Sequence, residues 1–206
     1  MSRYTDASCR LCRREQQKLY LKGTKCVTKC TFEKRATPPG QHGRQRRPSE
    51  YGLQLREKQK ARRFYGVGEK QFRNYFARAI KTRGITGKTL MILLERRLDN
   101  VVYRAGFAYS RKQARQIVTH GHVEVNGHKV DIPSFLVSAG DEVKIRPSHL
   151  KLDYFKAIAD GLQGHHVPAW MSFDADNWKV TILRLPERDE VDAPVDERLI
   201  VELYSK

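Results

Sequence analysis

The chain has 206 residues, and its 40 Lys+Arg against 23 Asp+Glu give a formal net charge of +17. Hydrophobic residues make up 39% and recur throughout, which excludes a disordered basic tail and allows one large domain or two small ones. No apolar run approaches the ~20 residues that a membrane helix needs. The first six residues lack the apolar core of a secretory signal, so we expect a cytosolic protein with reduced thiols and no membrane partner.

The positive charge is concentrated towards the start of the chain. Residues 1–100 carry +18, residues 101–150 carry +3 and residues 151–206 carry −4. Such a density of like charge repels itself and favours a polyanionic partner, whose counterions are released on binding. A surface adapted for solubility and an anionic membrane are weaker alternatives, because the charge exceeds what solubility requires and no helix pairs bulky apolar anchors with its cations.

Residues 1–48 are rich in loop-forming sequence and contain all four cysteines, Cys9, Cys12, Cys26 and Cys30. The pattern C-x2-C, thirteen residues, C-x3-C suits tetrahedral coordination by four thiolates. Zn²⁺ is favoured, and an iron–sulfur cluster is the alternative. With four protein ligands the site is predicted to be structural. No nucleophile–base arrangement, P-loop or dinucleotide fingerprint indicates an enzyme.

Two helices are predicted next. The first is capped by Ser49 and ends at Gly66, and the second covers residues 69–81. The first is polar on nearly every face, which indicates an external partner such as nucleic-acid phosphate. The second has an apolar stripe, which is typical of packing: Phe72, Tyr75, Phe76, Ala79 and Ile80.

A third helix is predicted over residues 86–105, and a fourth begins after Ser110 and ends at Gly121. Ser110 and Gln113 fit a capping box. Arg111, Lys112 and Arg115 lie near the positive end of this helix dipole, which predicts a compact phosphate site. A solvated helix face is the alternative.

Beyond residue 121 the hydrophobic period changes to two, and Asn126-Gly127 is a strong type I′ hairpin signal. Further strands are predicted over residues 142–145, 170–173 and 178–183, with helices over 150–162 and after Asp196. The predicted fold class is α+β, with a mostly helical part, an N-terminal metal-binding segment, and helices packed on a small antiparallel sheet.

Several segments resemble the bacterial ribosomal protein S4 family, in its version with four metal-binding cysteines. They cover essentially the whole chain in order: P-P-G-Q-H-G at 38–43, S-E-Y-G-L-Q-L-R-E-K-Q-K at 49–60, Y-G at 65–66, Q-F-R-N-Y at 71–75, L-E-R-R-L-D-N-V-V-Y-R at 94–104 and L-I-V-E-L-Y-S at 199–205.

The resemblance implies a structural protein of the small ribosomal subunit in the cytoplasm, a monomer within the ribosome. It implies direct binding to a junction in the 5′ domain of small-subunit rRNA, where the family nucleates assembly. It also implies a place at the pore through which messenger RNA enters, a role for Arg44, Arg46 and Arg47 there, ribosomal proteins S3 and S5 as neighbours, and an influence on decoding accuracy. The domains implied are a zinc-binding segment 1–45, a helical domain 46–93 completed by about 190–206, and a helix-pair and sheet domain 94–189.

We expect rRNA contacts from cations along the chain, with phosphates fixing position and junction shape providing specificity. Tyr51 and Tyr65 are candidates for base stacking, with packing as the equal alternative. The predicted rRNA-binding residues are Arg13, Arg14, Arg56, Lys58, Lys60, Arg62, Arg63, Arg73, Arg111, Lys112, Arg115 and His120.

Two other function classes are open at this point. An rRNA-binding accessory protein or an RNA-modifying enzyme is the first alternative. The enzyme would use the same small module but would need a separate catalytic domain, for which little length remains. A zinc-containing DNA-binding regulator would need a recognition helix with base-reading side chains and a dimer seam, and neither is evident.

Overall fold

The computed structural model describes residues 4–41, 47–162 and 166–205, and its contacts divide the chain into two compact units. The first unit ends at Met91 and resumes at Asp192, and the second is Ile92–Val191. The α+β class is confirmed, whereas the three-segment division 1–45, 46–93 and 94–189 stays a prediction. Within the described residues, no helix is both long enough and apolar enough to span a membrane.

The described helices and strands follow in chain order. The helices are α1 (Cys9–Glu15), α2 (Lys25–Thr28), α3 (Thr31–Lys34), α4 (Glu50–Phe64), α5 (Glu69–Lys81), α6 (Thr86–Glu95), α7 (Leu98–Arg104), α8 (Arg111–Thr119), α9 (Asp153–Leu162) and α10 (Glu197–Tyr204). The strands are β1 (Val123–Val125), β2 (His128–Lys129), β3 (Glu142–Ile145), β4 (Met171–Asp174) and β5 (Lys179–Ile182).

In the first unit, α10 returns from the end of the chain to pack on α4. The amide of Gln54, fully buried in α4, donates to Glu202 Oε2 at 3.1 Å. The rings of Phe76 and Tyr204 stack with centroids 4.3 Å apart. These contacts explain why a short helix at the end of the chain belongs to the unit built by residues before Met91.

The predicted stripe of α5 is buried except at its last member. Phe72 and Ala79 are fully buried, whereas Ile80 is 59% exposed, so the prediction that Ile80 faces the core is wrong. At 3.6 residues per turn, Ile80 lies about 80° around the helix from Phe72, at the edge of the stripe. Packing covers the centre of the stripe and leaves this edge outside.

In the second unit, all five strands pair antiparallel in the order β2-β1-β3-β5-β4. Positive φ at Asn126 (50°) and Gly127 (80°) forms the predicted turn, and Val125 pairs with His128 across it. One apolar core joins the sheet to α7, α8 and α9. Trp170 and Phe155 are each only 1% exposed within that core.

The single helix predicted over residues 86–105 is interrupted at Arg96 and Arg97. Arg97 takes an extended conformation (φ −63°, ψ 134°) and precedes α7 as its N-cap. The chain bonds there to a neighbouring segment, since the backbone N–H of Val137 donates to Arg96 O at 3.0 Å. Leu98 N–H donates to Phe135 O at 2.8 Å. Tertiary hydrogen bonds thus replace helical ones, which a periodic apolar pattern does not reveal.

Candidate nucleic-acid interface

Most predicted contact residues of α4 are already ion-paired. Lys58 is buried, with Nζ 2.7 Å from Glu69 Oε1, and Arg62 Nη1 lies 3.3 Å from Glu69 Oε2. Lys60 pairs with Glu57 one turn earlier. Burial and pairing place the charge of Lys58 inside the unit, so the structure gives no support to its predicted RNA contact, which stays a prediction. The polar character of α4 is explained by carboxylates of its own unit.

Arg56 and Arg63, also on α4, both reach the carboxylate of Glu15 at the end of α1. Arg56 Nη1 lies 3.4 Å from Glu15 Oε1, and Arg63 Nη1 bonds the same oxygen. The side chains of Arg56 and Arg63 remain 35% and 19% exposed, whereas that of Glu15 is fully buried. The two guanidinium groups are thus held by a buried carboxylate and remain partly accessible to solvent.

The outer face of α5 is an open cationic surface of the first unit. Lys70, Arg73, Arg78 and Lys81 are all exposed, opposite the buried apolar stripe. In the part of the chain that the structure describes, none of the four forms an ion pair with a carboxylate. They extend over about 16 Å at 1.5 Å per residue, a length suited to several phosphates of one strand.

Of these α5 cations, only Arg73 is predicted from the sequence as an rRNA contact. The signal that could have found Lys70, Arg78 and Lys81 is the position of the core stripe. Once Phe72 and Ala79 are assigned to the interior, the opposite face of the helix carries mostly cations.

The predicted phosphate site at the start of α8 is only partly open. The Ser110 hydroxyl caps the helix by accepting from Gln113 N–H at 3.3 Å. Arg111, however, is 8% exposed, donates from Nε to Asn100 Oδ1 at 2.9 Å, and lies with its guanidinium 4.3 Å from the centroid of Tyr103. Arg111 is thus part of the interior, and the structure gives no support to its predicted contact with phosphate, which stays a prediction.

The other two predicted cations of that site, Arg115 and Lys112, differ in exposure. Arg115 Nη1 lies 3.4 Å from Asp99 Oδ2, and its side chain is 17% exposed. Asp99 also receives the fully buried Arg97, with Nη2 to Oδ2 at 2.5 Å. Lys112 alone of the predicted three is an exposed residue. The carboxylate that neutralises this helix start comes from α7, which packs on α8.

A buried acidic residue supports the same region. Glu95 is 1% exposed and accepts from Arg104 Nη2 at 2.8 Å and from Asn100 Nδ2 at 2.7 Å. Because Asn100 in turn accepts from Arg111, the end of α6, α7 and α8 share one hydrogen-bonded network. Such buried networks are sensitive to the loss of any member.

The four cysteines come together, as the spacing predicts. All four line one small cavity of α1–α3 that is surrounded by lysines. Burial raises the pKa of the Cys12 thiol, and the nearby Cys26, Cys9 and Cys30 act in the same direction. A backbone N–H, that of Lys22, donates to Cys26 Sγ at 3.3 Å. Nevertheless, among the described residues no group of three or more His, Cys, Asp or Glu side chains has an arrangement that could hold a metal ion.

The two predicted stacking tyrosines have different environments. Tyr65 is 3% exposed and packs edge-on against Phe64 at 5.1 Å between centroids. The stacking prediction for Tyr65 is therefore wrong, since its ring has no open face. Tyr51, on the first turn of α4, is 57% exposed and stays a candidate.

His120 is exposed at the C-terminal cap of α8, beside two further histidines. His122 Nδ1 and His149 Nδ1 lie 2.9 Å apart, and the rings of His120 and His122 lie 6.0 Å apart. Burial, reinforced by His149, His120 and Arg146, lowers the pKa of His122. His120 is predicted from the sequence, but this three-histidine group is not, since His149 is distant in the chain.

The remaining predicted residues lie near the start of the chain. Arg13 donates from Nε to the backbone O of Thr37 at 2.7 Å, and Arg14 is exposed. Arg47 is exposed, whereas Arg44 and Arg46 lie outside the described residues.

An open cationic helix face in the first unit, and in the second unit two short helices that precede a hairpin, define a polyanion-binding protein of two units. Two family models match the chain: "Ribosomal protein S4/S9 N-terminal domain" over residues 3–95, and "S4 domain" over residues 96–143. The chain belongs to the ribosomal protein S4 family.

Curated relatives match over the full length. The chain is 60% identical to small ribosomal subunit protein uS4A of Symbiobacterium thermophilum. It is 56% identical to small ribosomal subunit protein uS4 of Syntrophomonas wolfei and 56% identical to that of Thermodesulfovibrio yellowstonii. Each alignment covers 100% of both chains.

Proposed function

We propose that this chain is a primary rRNA-binding protein that nucleates assembly of the small ribosomal subunit. As a member of the S4 family it is a structural constituent of that subunit in the cytoplasmic ribosome, it binds rRNA, and it is not an enzyme. The observation that carries this conclusion is the match over the whole chain, including the S4 domain, to small-subunit proteins.

The proposed rRNA contacts are those predicted cations that the structure leaves accessible, together with the face of α5. Phosphate contacts position the protein, and specificity comes from the shape of the RNA junction, because A-form grooves hide the base edges. The residues are Arg14, Arg56, Arg62, Arg63, Lys70, Arg73, Arg78, Lys81, Lys112 and His120, with Tyr51 for stacking.

Chemical footprinting of small-subunit rRNA with and without the protein tests the proposal. We expect protection confined to one multi-helix junction in the 5′ domain, and much weaker binding to duplex DNA at the same salt concentration. Uniform protection along the rRNA, or equal affinity for duplex DNA, would contradict primary binding at a specific site.

We further propose that Arg44, Arg46 and Arg47 line the pore through which messenger RNA enters, beside ribosomal proteins S3 and S5. The resemblance supports this placement, and clustered arginines suit a strand that slides past, because phosphate contacts carry no sequence information. Small subunits reconstituted with all three arginines changed to alanine are expected to unwind structured messengers more slowly. Subunits carrying Lys151→Ala and Lys156→Ala serve as the control.

We propose Zn²⁺ as the ligand of Cys9, Cys12, Cys26 and Cys30, in a purely structural role. Four cysteines that line one cavity together with lysines support the choice of donors. Elemental analysis of protein purified without chelator is expected to find about one zinc per chain. Equal amounts of iron and inorganic sulfide would point to an iron–sulfur cluster instead, and metal-free folded protein would contradict both ligands.

A further inference from the structure

Glu15 is an unusual carboxylate for this part of the chain, because its side chain is fully buried whereas the side chain of Glu33 is 59% exposed. Arg56 and Arg63 both bond Oε1 of Glu15. The other oxygen, Oε2, is also buried and has no hydrogen-bond partner among the residues that the structure describes. A single carboxylate oxygen therefore holds two guanidinium groups together.

The two arginines are seven residues apart on α4, which places them on the same face, two turns from each other. Arg14 adds a third positive charge close enough to act on the carboxylate. Three guanidinium groups around one carboxylate leave a positive excess, which a phosphate group would neutralise. Each arginine still has further N–H donors, because the guanidinium group has five.

We propose that Glu15 is a positioning residue for rRNA binding: from α1 it orients the guanidinium groups of Arg56 and Arg63 towards an RNA phosphate. This inference rests on the proposed rRNA contact of Arg56 and Arg63. A planar guanidinium matches phosphate only in a fixed orientation, so a residue that holds the plane from behind reduces the loss of side-chain freedom on binding. It also links the cysteine-containing segment to the rRNA-binding helix.

A purely stabilising role explains the arrangement less well. Burial raises the pKa of Glu15, and that effect is larger than the opposing attraction of Arg63 and Arg56. The charged carboxylate is thus less favourable in the folded chain than in the unfolded one, so its ionisation lowers stability as the pH rises. A neutral residue of the same shape would avoid that cost, whereas only a carboxylate holds both guanidinium groups strongly.

The test compares Glu15→Gln with Glu33→Gln, which removes the same charge from the same segment at an exposed pair. Affinities for small-subunit rRNA and for poly(U) are measured at one salt concentration, together with thermal unfolding. Glu15→Gln is expected to weaken rRNA binding about tenfold, as for loss of one charge-assisted hydrogen bond, without weakening poly(U) binding. Glu33→Gln is expected to leave the ratio of the two affinities unchanged.

A double-mutant cycle adds Arg63→Lys, which keeps the charge and removes the planar fork. If Glu15 acts partly through Arg63, the combined loss of rRNA affinity in the double variant is smaller than the product of the two single losses. Should Glu15→Gln lack a cooperative unfolding transition, Glu15→Asp takes its place in every comparison, since it keeps the charge and shortens the reach.

Two outcomes would overturn the inference: a Glu15 variant whose affinity ratio matches that of Glu33→Gln, or losses that multiply in the double variant. A variant with both Arg56→Ala and Arg63→Ala tests the rRNA contact of the two arginines separately from the positioning role of Glu15. If that variant binds rRNA normally, the proposed contact itself fails. If it binds weakly while the Glu15 variant binds normally, only the positioning role fails.

Discussion

The outer face of α5 and the N-terminal half of α8 are both basic in sequence, yet they have different environments in the folded chain. On α5, Lys70, Arg73, Arg78 and Lys81 are exposed, and no described carboxylate pairs with them. On α8, Arg111 is buried and Arg115 is paired with Asp99. A cluster of cations therefore predicts a phosphate site only where its neighbours in space do not neutralise it.

The difference arises from the helix packed alongside. Helix α8 packs on α7, whose first turn contributes Asp99 and Asn100 to its cations. Helix α5 has Glu69 in its first turn, and that carboxylate is bonded by Lys58 and Arg62 of α4. Glu69 is thus engaged by cations of α4, and no described carboxylate forms an ion pair with the four cations of the α5 face.

The largest expected effect is on the buried network beneath α8. Glu95→Ala leaves the Arg104 charge in a site that is nearly closed to water, and we expect a loss of about 3–5 kcal/mol in the free energy of unfolding. Denaturant unfolding measures it. Asp153→Asn, at a fully exposed side chain, should change stability by no more than about 0.5 kcal/mol. Equal effects of the two changes would show that the network is not structural.

The next effect concerns rRNA binding by α5. Replacing Lys70, Arg73, Arg78 and Lys81 with alanine should make the slope of log K against log salt shallower by about 3 units, at roughly 0.7–0.9 per phosphate contact. Thermal unfolding should change little, because all four side chains are exposed. The pair Lys151→Ala and Lys156→Ala serves as the control in the other unit. An unchanged slope would remove α5 from the interface.

The third comparison is between the adjacent residues Arg111 and Lys112 of α8, whose substitutions should affect stability and rRNA binding differently. Arg111→Ala should lower stability by about 2–4 kcal/mol, because it removes a buried charge-assisted hydrogen bond and a cation–π contact. Lys112→Ala should leave stability within about 0.5 kcal/mol of the parent and weaken rRNA binding by a few-fold. The reverse pattern would restore Arg111 to the phosphate site.

The smallest effect is the pH dependence at His122. Its pKa is lowered in the folded chain by burial and by His149, so the unfolded chain binds the proton more readily. The stability contribution is therefore complete above the ordinary value of about 6.5 and is lost as the pH falls below it. His122→Gln should reduce the fall in melting temperature between pH 7.5 and 5.5, whereas the exposed His128→Gln should not. Identical pH profiles for all three proteins would contradict this assignment.

The sequence correctly predicted those helices, caps and turns that depend on residues close together in the chain. The boundaries of α5, the Ser49 and Ser110 caps and the Asn126-Gly127 turn follow from side chains within a few residues of one another. The interruption at Arg97 was not predictable in this way, because hydrogen bonds to residues near 135 cause it. The same applies to Tyr65 and Lys58, whose burial depends on the helices packed around them.

By itself, the sequence determined the basic character of the first hundred residues, the local elements and the family, because charge, periodicity and motifs are properties of the chain. Only the tertiary structure decided which cations remain accessible to RNA. A charge acts on everything within a few ångströms, whatever its distance along the chain. Glu15 of α1 meets Arg63 of α4, and Asp99 of α7 meets Arg115 of α8, only after folding.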